Sequence, residues 1–133
     1  VRFFQRLETD TIEALYSLAA ALIFPSIAEG FGWPIAEGLA CGCPVLTTGE
    51  PPMNEVGGPH AHYLPRLPDR DGQAAWAIQG AEMICQLLDR PEPERESSAK
   101  AGIDWARRYE AHRAIDDYLK IYEKVLGAVT LRA

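Results

Sequence analysis

The 133-residue sequence contains no apolar run approaching the length of a bilayer span, and its first residues, Val1, Arg2, Phe3 and Phe4, lack the layout of a secretory signal. A soluble, cytoplasmic chain is expected. Cysteine is sparse: Cys41, Cys43 and Cys85 are odd in number and fall in no disulfide-scaffold spacing. Basic residues are also short, with 13 Lys and Arg against 19 Asp and Glu and a net charge of -6. That deficit argues against a broad footprint on a phosphate backbone, and so against nucleic acid as a partner. It leaves open a small phosphorylated ligand held by backbone amides. Internal repeats and low-complexity stretches are missing. Cys41 and Cys43 with His60 and His62 lack the spacing of paired zinc ligands, so small buried thiols and a solvated loop are the simpler reading, and no metal is expected.

What is present is ordinary for one globular domain with a core: 47% hydrophobic and 24% charged residues. Residues 1–4 read as a strand beginning without a lead-in turn. Asp10 offers a helix N-cap with Glu13 three residues on, and Ile12, Leu15, Tyr16 and Ala19 share one face, giving a helix over 11–20. The apolar run 21–24, closed by Pro25 and Ser26, reads as a strand buried on both faces. Pro34 suits the start of a helix that Gly42 ends, and 44–48 is the next strand. Residues 49–59 are loop chemistry with one helical turn near 54–56, followed by a weak strand at 61–64. Ala74, Ile78, Ala81, Ile84 and Leu88 mark a helix over 72–89, which the Pro- and Glu-rich stretch 90–96 breaks. Helices over 94–108 and 111–126 finish the chain, the second with Ile115, Tyr118, Leu119, Tyr122, Val125 and Leu126 on one stripe. Trp76, Trp105 and the tyrosines of that last helix are most simply core, and residues 92–96 a solvated linker. Alternating strands and helices imply an α/β fold with a Rossmann-like parallel sheet covered by helices on both faces.

The chemistry concentrates in residues 25–37. In an open parallel sheet, ligands sit beyond the carboxyl ends of the strands, where loops lead into helices. There the amides of Gly30, Phe31 and Gly32, just ahead of a helix headed by Pro34, would point donors and the positive helix end at an anion. Glu37 lies three residues after Pro34, about 5 Å along the helix, so its carboxylate stays near the same opening. Two carboxylates aimed at a phosphate would repel it; Glu29 and Glu37 suit vicinal hydroxyls, as on a hexose or a ribose. Diphosphate on the amides, sugar hydroxyls on Glu29 and ribose hydroxyls on Glu37 together describe a nucleotide sugar. The plainer reading makes Glu29 a turn cap and Glu37 a helix-dipole partner, and a lone Gly-x-Gly does not separate the two.

The run "FPSIAEGFGWPIAEGLACGCPVLTT" resembles the donor-site segment of family 4 glycosyltransferases of the GT-B fold, in which two glutamates separated by seven residues precede a short helix and a "G-x-PV" strand. The likeness reaches back through "LYSLAAALIFPS" and forward to Glu55, Val56, Gly57 and Gly58, which resemble the family's second donor-side loop; it thins after Leu64. The resemblance implies transfer of a sugar from a nucleotide-sugar donor, such as a UDP- or GDP-sugar, with retention and without a metal or other cofactor. It implies that Glu29 contacts the donor sugar or its phosphate edge as the catalytic carboxylate, that Glu37 holds the ribose and that Gly30, Phe31 and Gly32 hold the diphosphate, with Ser26 and Glu55 on the donor side. Two positions depart from the pattern: Gln5 and Arg6 stand where a glycine is common, and Trp33 replaces a smaller apolar residue.

By the same resemblance the chain is the later part of a C-terminal donor domain, a single partial domain over 1–133 with a helical tail at about 94–126. The N-terminal acceptor domain is then the missing partner, as are two strands whose basic residues neutralise the diphosphate, leaving only Arg2 and Arg6 nearby. An open sheet edge is expected at 21–24, prone to pair with another chain as a homodimer or domain swap. The abrupt start at Val1 fits a truncated chain, and the longer protein a peripheral membrane location. Three alternatives stay open: a non-catalytic nucleotide-sugar or phosphate-binding module, an epimerase or phosphorylase on the same architecture, and a purely structural α/β domain. His60, His62 and His112 fall in loop or helix-end contexts where a histidine is ordinarily exposed or locally bonded.

Overall fold

The computed structural model describes residues 1–130. In chain order the elements are α1 (Thr9–Leu18), β1 (Leu22–Phe24), α2 (Trp33–Ala40), β2 (Val45–Thr48), α3 (Met53–Gly57), a 3-10 turn (Gly58–His60), β3 (His62–Leu64), α4 (Gln73–Leu88), α5 (Glu92–Ala106), a second 3-10 turn (Arg107–Tyr109) and α6 (Ala111–Thr130). The three strands form one parallel sheet in the order β1-β2-β3. This is the α/β, Rossmann-like arrangement the alternation predicts, since parallel neighbours need a crossover connection and here each crossover carries a helix.

Register sorts the helices onto two faces. Leu22 and Phe24 lie beside Val45 and Thr47, and this face meets α2, α3 and α5: Ile35, Ala36, Leu39, Val45, Met53, Val56 and Ala106 form one buried cluster. Successive side chains alternate, so Leu46 and Thr48 point the other way, beside His62 and Leu64. There α4 covers the sheet, with Gly80 against the Leu64 side chain and Leu87 buried. All four residues of β2 are buried, as a central strand covered on both faces requires. Among the described residues β1 pairs only with β2, which leaves the expected open edge, and Ile23 on the α4 side is 41% exposed.

Trp105 of α5 ties the far side of the core together. Its indole N–H donates to the Val56 carbonyl at 2.8 Å, and Gly58, at φ 52°, lies flat against its ring, where any Cβ would collide with it. Tyr109 adds a hydroxyl to the same Val56 carbonyl at 3.2 Å.

Several local expectations are overturned. Residues 1–4 form no strand, and Val1, Phe3 and Phe4 are exposed. A strand needs a ladder partner; both sides of β2 are occupied, and this segment does not reach the free edge of β1. Helix α1 starts earlier than Asp10 suggested: Glu8 is the N-cap, without a side-chain cap bond, and Asp10 sits in the first turn. Residues 92–96 are not a linker but the opening of α5, where a proline is tolerated, Glu92 and Glu94 favour the positive helix end, and Arg95 pairs with Glu92. The tyrosines of α6 are not core: Ile115, Tyr118, Leu119, Tyr122 and Val125 are each more than half exposed. Trp76 is half-buried and donates to the Pro65 carbonyl at 2.7 Å.

Candidate functional site

The carboxyl ends of β1 and β2 deliver two loops to the same edge of the sheet. Phe24 ends β1 and Thr48 ends β2, and two buried threonine hydroxyls stitch these ends together: Thr47 Oγ1 donates to the Phe24 carbonyl at 2.7 Å, and Thr48 Oγ1 to the Ser26 carbonyl at 2.6 Å. A buried hydroxyl is costly unless bonded, and both are satisfied by the backbone they hold. Ser26, fixed in this way, turns its own hydroxyl to Glu29 Oε1 at 2.7 Å, with the Ala28 carbonyl farther off at 3.2 Å. Glu29 is half-buried in consequence, its carboxylate anchored to the sheet through one serine.

Gly30, Phe31 and Gly32 carry the chain from Glu29 into α2. Gly32 is the N-cap, in the left-handed region at φ 98°, and its carbonyl accepts the Ile35 N–H at 3.0 Å. The amides of Gly30, Phe31 and Gly32 have no acceptor among the described residues. They precede a helix whose second position is proline, so the positive helix end and these open donors coincide. Gly30 is not demanded by the fold: its backbone is not left-handed, and a Cβ built there meets nothing within 4 Å. Open space beside unpaired amides is what a close-lying ligand needs.

The ring of Phe31 does not share in this opening. It packs against the core, tilted on Trp33 at 4.7 Å and edge-on to Tyr109 at 5.3 Å between centroids. Tyr109 also reaches the Glu55 carbonyl at 3.4 Å, which links the α2 loop to α3. The Glu55 carboxylate is exposed in the first turn of α3. Glu37, exposed on α2, has no direct contact with Glu29; it accepts a hydrogen bond from the Tyr16 hydroxyl of α1 at 3.3 Å. Burial first and the Glu37 charge second push the Tyr16 phenol up to about 12, so it remains a donor at every ordinary pH.

Ser26 and Glu29 thus meet directly, Gly30 to Gly32 adjoin them, Phe31 and Glu55 are joined through Tyr109, and Glu37 is set separately by Tyr16. Thr48 and Tyr16 escaped sequence reasoning. Thr48 stood inside an apolar strand pattern, and Tyr16 on an amphipathic face; a paired threonine at the end of a buried strand was the available signal. Arg2 and Arg6 are exposed and form no ion pair among the described residues. The histidines lie elsewhere. His60 and His62 are at the amino end of β3, and His112 in the first turn of α6 is 3.3 Å from Glu110. Among the described residues no group of three or more His, Cys, Asp or Glu could hold a metal ion. No helix of the described residues is long and apolar enough to cross a membrane.

Comparison with known proteins bears on this geometry. The family described as "Glycosyl transferases group 1" matches residues 1–78. The O-antigen chain mannosyltransferase RfbU of Salmonella typhimurium is 34% identical over 92 residues, covering 68% of this chain and 25% of that protein. The serotype-specific mannosyltransferase WbdA of Escherichia coli is 29% identical over 118 residues, 88% of this chain and 14% of that one. A 2-deoxystreptamine glucosyltransferase of Streptomyces kanamyceticus is 30% identical over 122 residues, 91% of this chain and 30% of that protein. The chain spans less than a third of each of these relatives. No solved structure matches it.

Proposed function

The chain belongs to the group 1 glycosyltransferases, and from that premise we propose that it forms the donor side of a family 4, GT-B enzyme that moves a hexosyl group from a nucleotide sugar to an acceptor in the cytoplasm. The observation that carries this reading is the anchored Glu29 carboxylate immediately followed by three unpaired amides at the start of α2. The amides of Gly30, Phe31 and Gly32 bind the diphosphate of a UDP- or GDP-sugar, the part that leaves. Glu29, held by Ser26, accepts hydrogen bonds from the sugar hydroxyls. Its negative charge also stabilises the positive charge that develops at the anomeric carbon as the bond to diphosphate breaks. Glu37 takes the ribose hydroxyls, and Glu55 lies on the donor side of the neighbouring loop.

In this reading the reaction proceeds with retention and needs no metal, because backbone donors and the helix end carry the phosphate charge. The mannosyltransferase and glucosyltransferase relatives support a hexose as the transferred group. An acceptor domain and further basic groups come from outside this chain, so the isolated chain binds donor without turning it over. The test is Glu29→Gln in the complete enzyme. Transfer is expected to fall by about a hundredfold or more, as when one group that stabilises transition-state charge is removed, with the melting temperature near that of wild type. Undiminished transfer by that variant ends the proposal.

A further inference from the structure

At the opposite end of the sheet from the donor loop, the amino end of β3 faces the first turns of α5 across a cleft of about 290 Å³. Its functional lining is His60, His62, Arg90, Ser97 and Ser98. A narrower crevice, walled by Cys43, Pro44 and Leu87, continues inward and shares both histidines, Arg90 and Ser98. Nothing in the donor-site reading uses these residues.

The chemistry of the lining is one-sided. A guanidinium offers five N–H donors in a fork that fits oxyanions, two hydroxyls donate, and each imidazole donates through at least one nitrogen. Among the described residues no carboxylate lines either the cleft or the crevice. Arg90 forms no ion pair among the described residues, whereas Arg95, at the crevice, is taken up by Glu92. In a chain of net charge -6 this is a local reversal of sign. Burial and then the charge of Arg90 hold the His62 imidazole below its ordinary pKa, so the guanidinium charge is felt inside the cleft.

We propose that this cleft is a second binding site, for a compact phosphate-type oxyanion, with Arg90 as its principal ligand and the Ser97 and Ser98 hydroxyls and the two imidazoles as further donors. A volume of about 290 Å³ lies at the lower end of small-molecule pockets. It accommodates the carbon portion of a small phosphomonoester as well as free phosphate. The anion would bridge α5, Arg90 in the short segment between α4 and α5, and the start of β3.

The site is tested by NMR on the nitrogen-15-labelled chain, titrated at constant ionic strength with inorganic phosphate and separately with glycerol 3-phosphate. Saturable shifts are expected at the His60 and His62 side chains and the Ser97 and Ser98 amides. The amides of Gly30 to Gly32 are read in the same spectra, so binding at the donor loop is told apart. Arg90→Gln is expected to weaken the response about tenfold or more, and the Ser97→Ala, Ser98→Ala double variant to weaken it less, while Arg70→Gln, outside the cleft, leaves it unchanged. A tighter response to glycerol 3-phosphate assigns the site to a phosphomonoester, and an equal or tighter one to phosphate assigns it to the free ion. Failure of both probes to give saturable shifts at these residues, or a titration unaltered in Arg90→Gln, overturns the proposal and leaves the donor-site reading untouched.

Discussion

The Ser26 hydroxyl stands 2.7 Å from a carboxylate oxygen of Glu29, and the Ser26 carbonyl is itself held at 2.6 Å by the buried hydroxyl of Thr48. Two hydrogen bonds in series therefore run from the centre of the sheet to the carboxylate proposed to act on the donor sugar. Position is inherited along this chain: β2 fixes Thr48, Thr48 fixes Ser26, and Ser26 fixes Glu29.

Thr48→Val keeps the shape of the side chain and removes the hydroxyl that the Ser26 carbonyl depends on. The expected loss of folding stability is about 1–3 kcal/mol, read by denaturant unfolding. Thr47→Val, which loses the bond to Phe24, should cost a similar amount. Only the Thr48 variant should also weaken nucleotide-sugar binding in the complete enzyme beyond its effect on stability; equal binding losses for the two would remove the positioning role of Thr48.

Gly30 and Gly32 should separate ligand from fold. At Gly30 an added methyl meets empty space, so Gly30→Ala is expected to leave the melting temperature unchanged while weakening donor binding. Gly32 is left-handed at φ 98°, and its Cβ would stand 3.3 Å from the Ile35 side chain, so Gly32→Ala should cost about 1–2 kcal/mol of stability. Calorimetric melting and donor titration of both variants check this, and undiminished donor affinity in Gly30→Ala would count against a ligand lying on that amide.

Alkali should reveal the burial of the Tyr16 phenol. The folded-state pKa of Tyr16 is raised from 10.0 to about 12, and that of Tyr63 likewise, by burial first in each case. Between these values the unfolded chain has lost phenolic protons that the folded chain still holds, so the stability they contribute is complete below pH 10 and is lost as pH rises through about 12. Urea unfolding across that range should show the decline, with a shallower slope for Tyr16→Phe. An identical slope in that variant would refute the assignment.

The open edge of β1 is proposed to pair two copies of the chain. Among the described residues Leu22–Phe24 has a partner on one side only, and Ile23 is 41% exposed. Light scattering should show a concentration-dependent dimer, and Ile23→Lys, which places a charge at the edge, should leave a monomer. A wild-type monomer at high concentration would contradict the pairing.

Much of the fold was legible locally. Pro34 and Gly42 bracket α2 as their backbone preferences dictate, with Gly42 at φ 73°, and the helical spacing of Ala74 to Leu88 marks α4 to within a residue or two. The failures were also local in kind. Residues 1–4 have strand-like composition but no neighbour to pair with, and residues 92–96 have the composition of a solvated linker yet open a helix because their charges suit its first turn.

The sequence by itself determined the alternation of strands and helices and the spacing that puts Glu29, the glycines and Glu37 on one loop and helix, because periodicity, turn residues and helix ends are properties of neighbours along the chain. Only the tertiary structure decided what holds those groups. Thr48 bonds a carbonyl 22 residues away, Tyr16 a carboxylate 21 residues away, and His60, His62, Arg90, Ser97 and Ser98 share a cleft. Such contacts follow from which strands pair, and in what register, a choice made by burial of the whole core that no short stretch of sequence expresses.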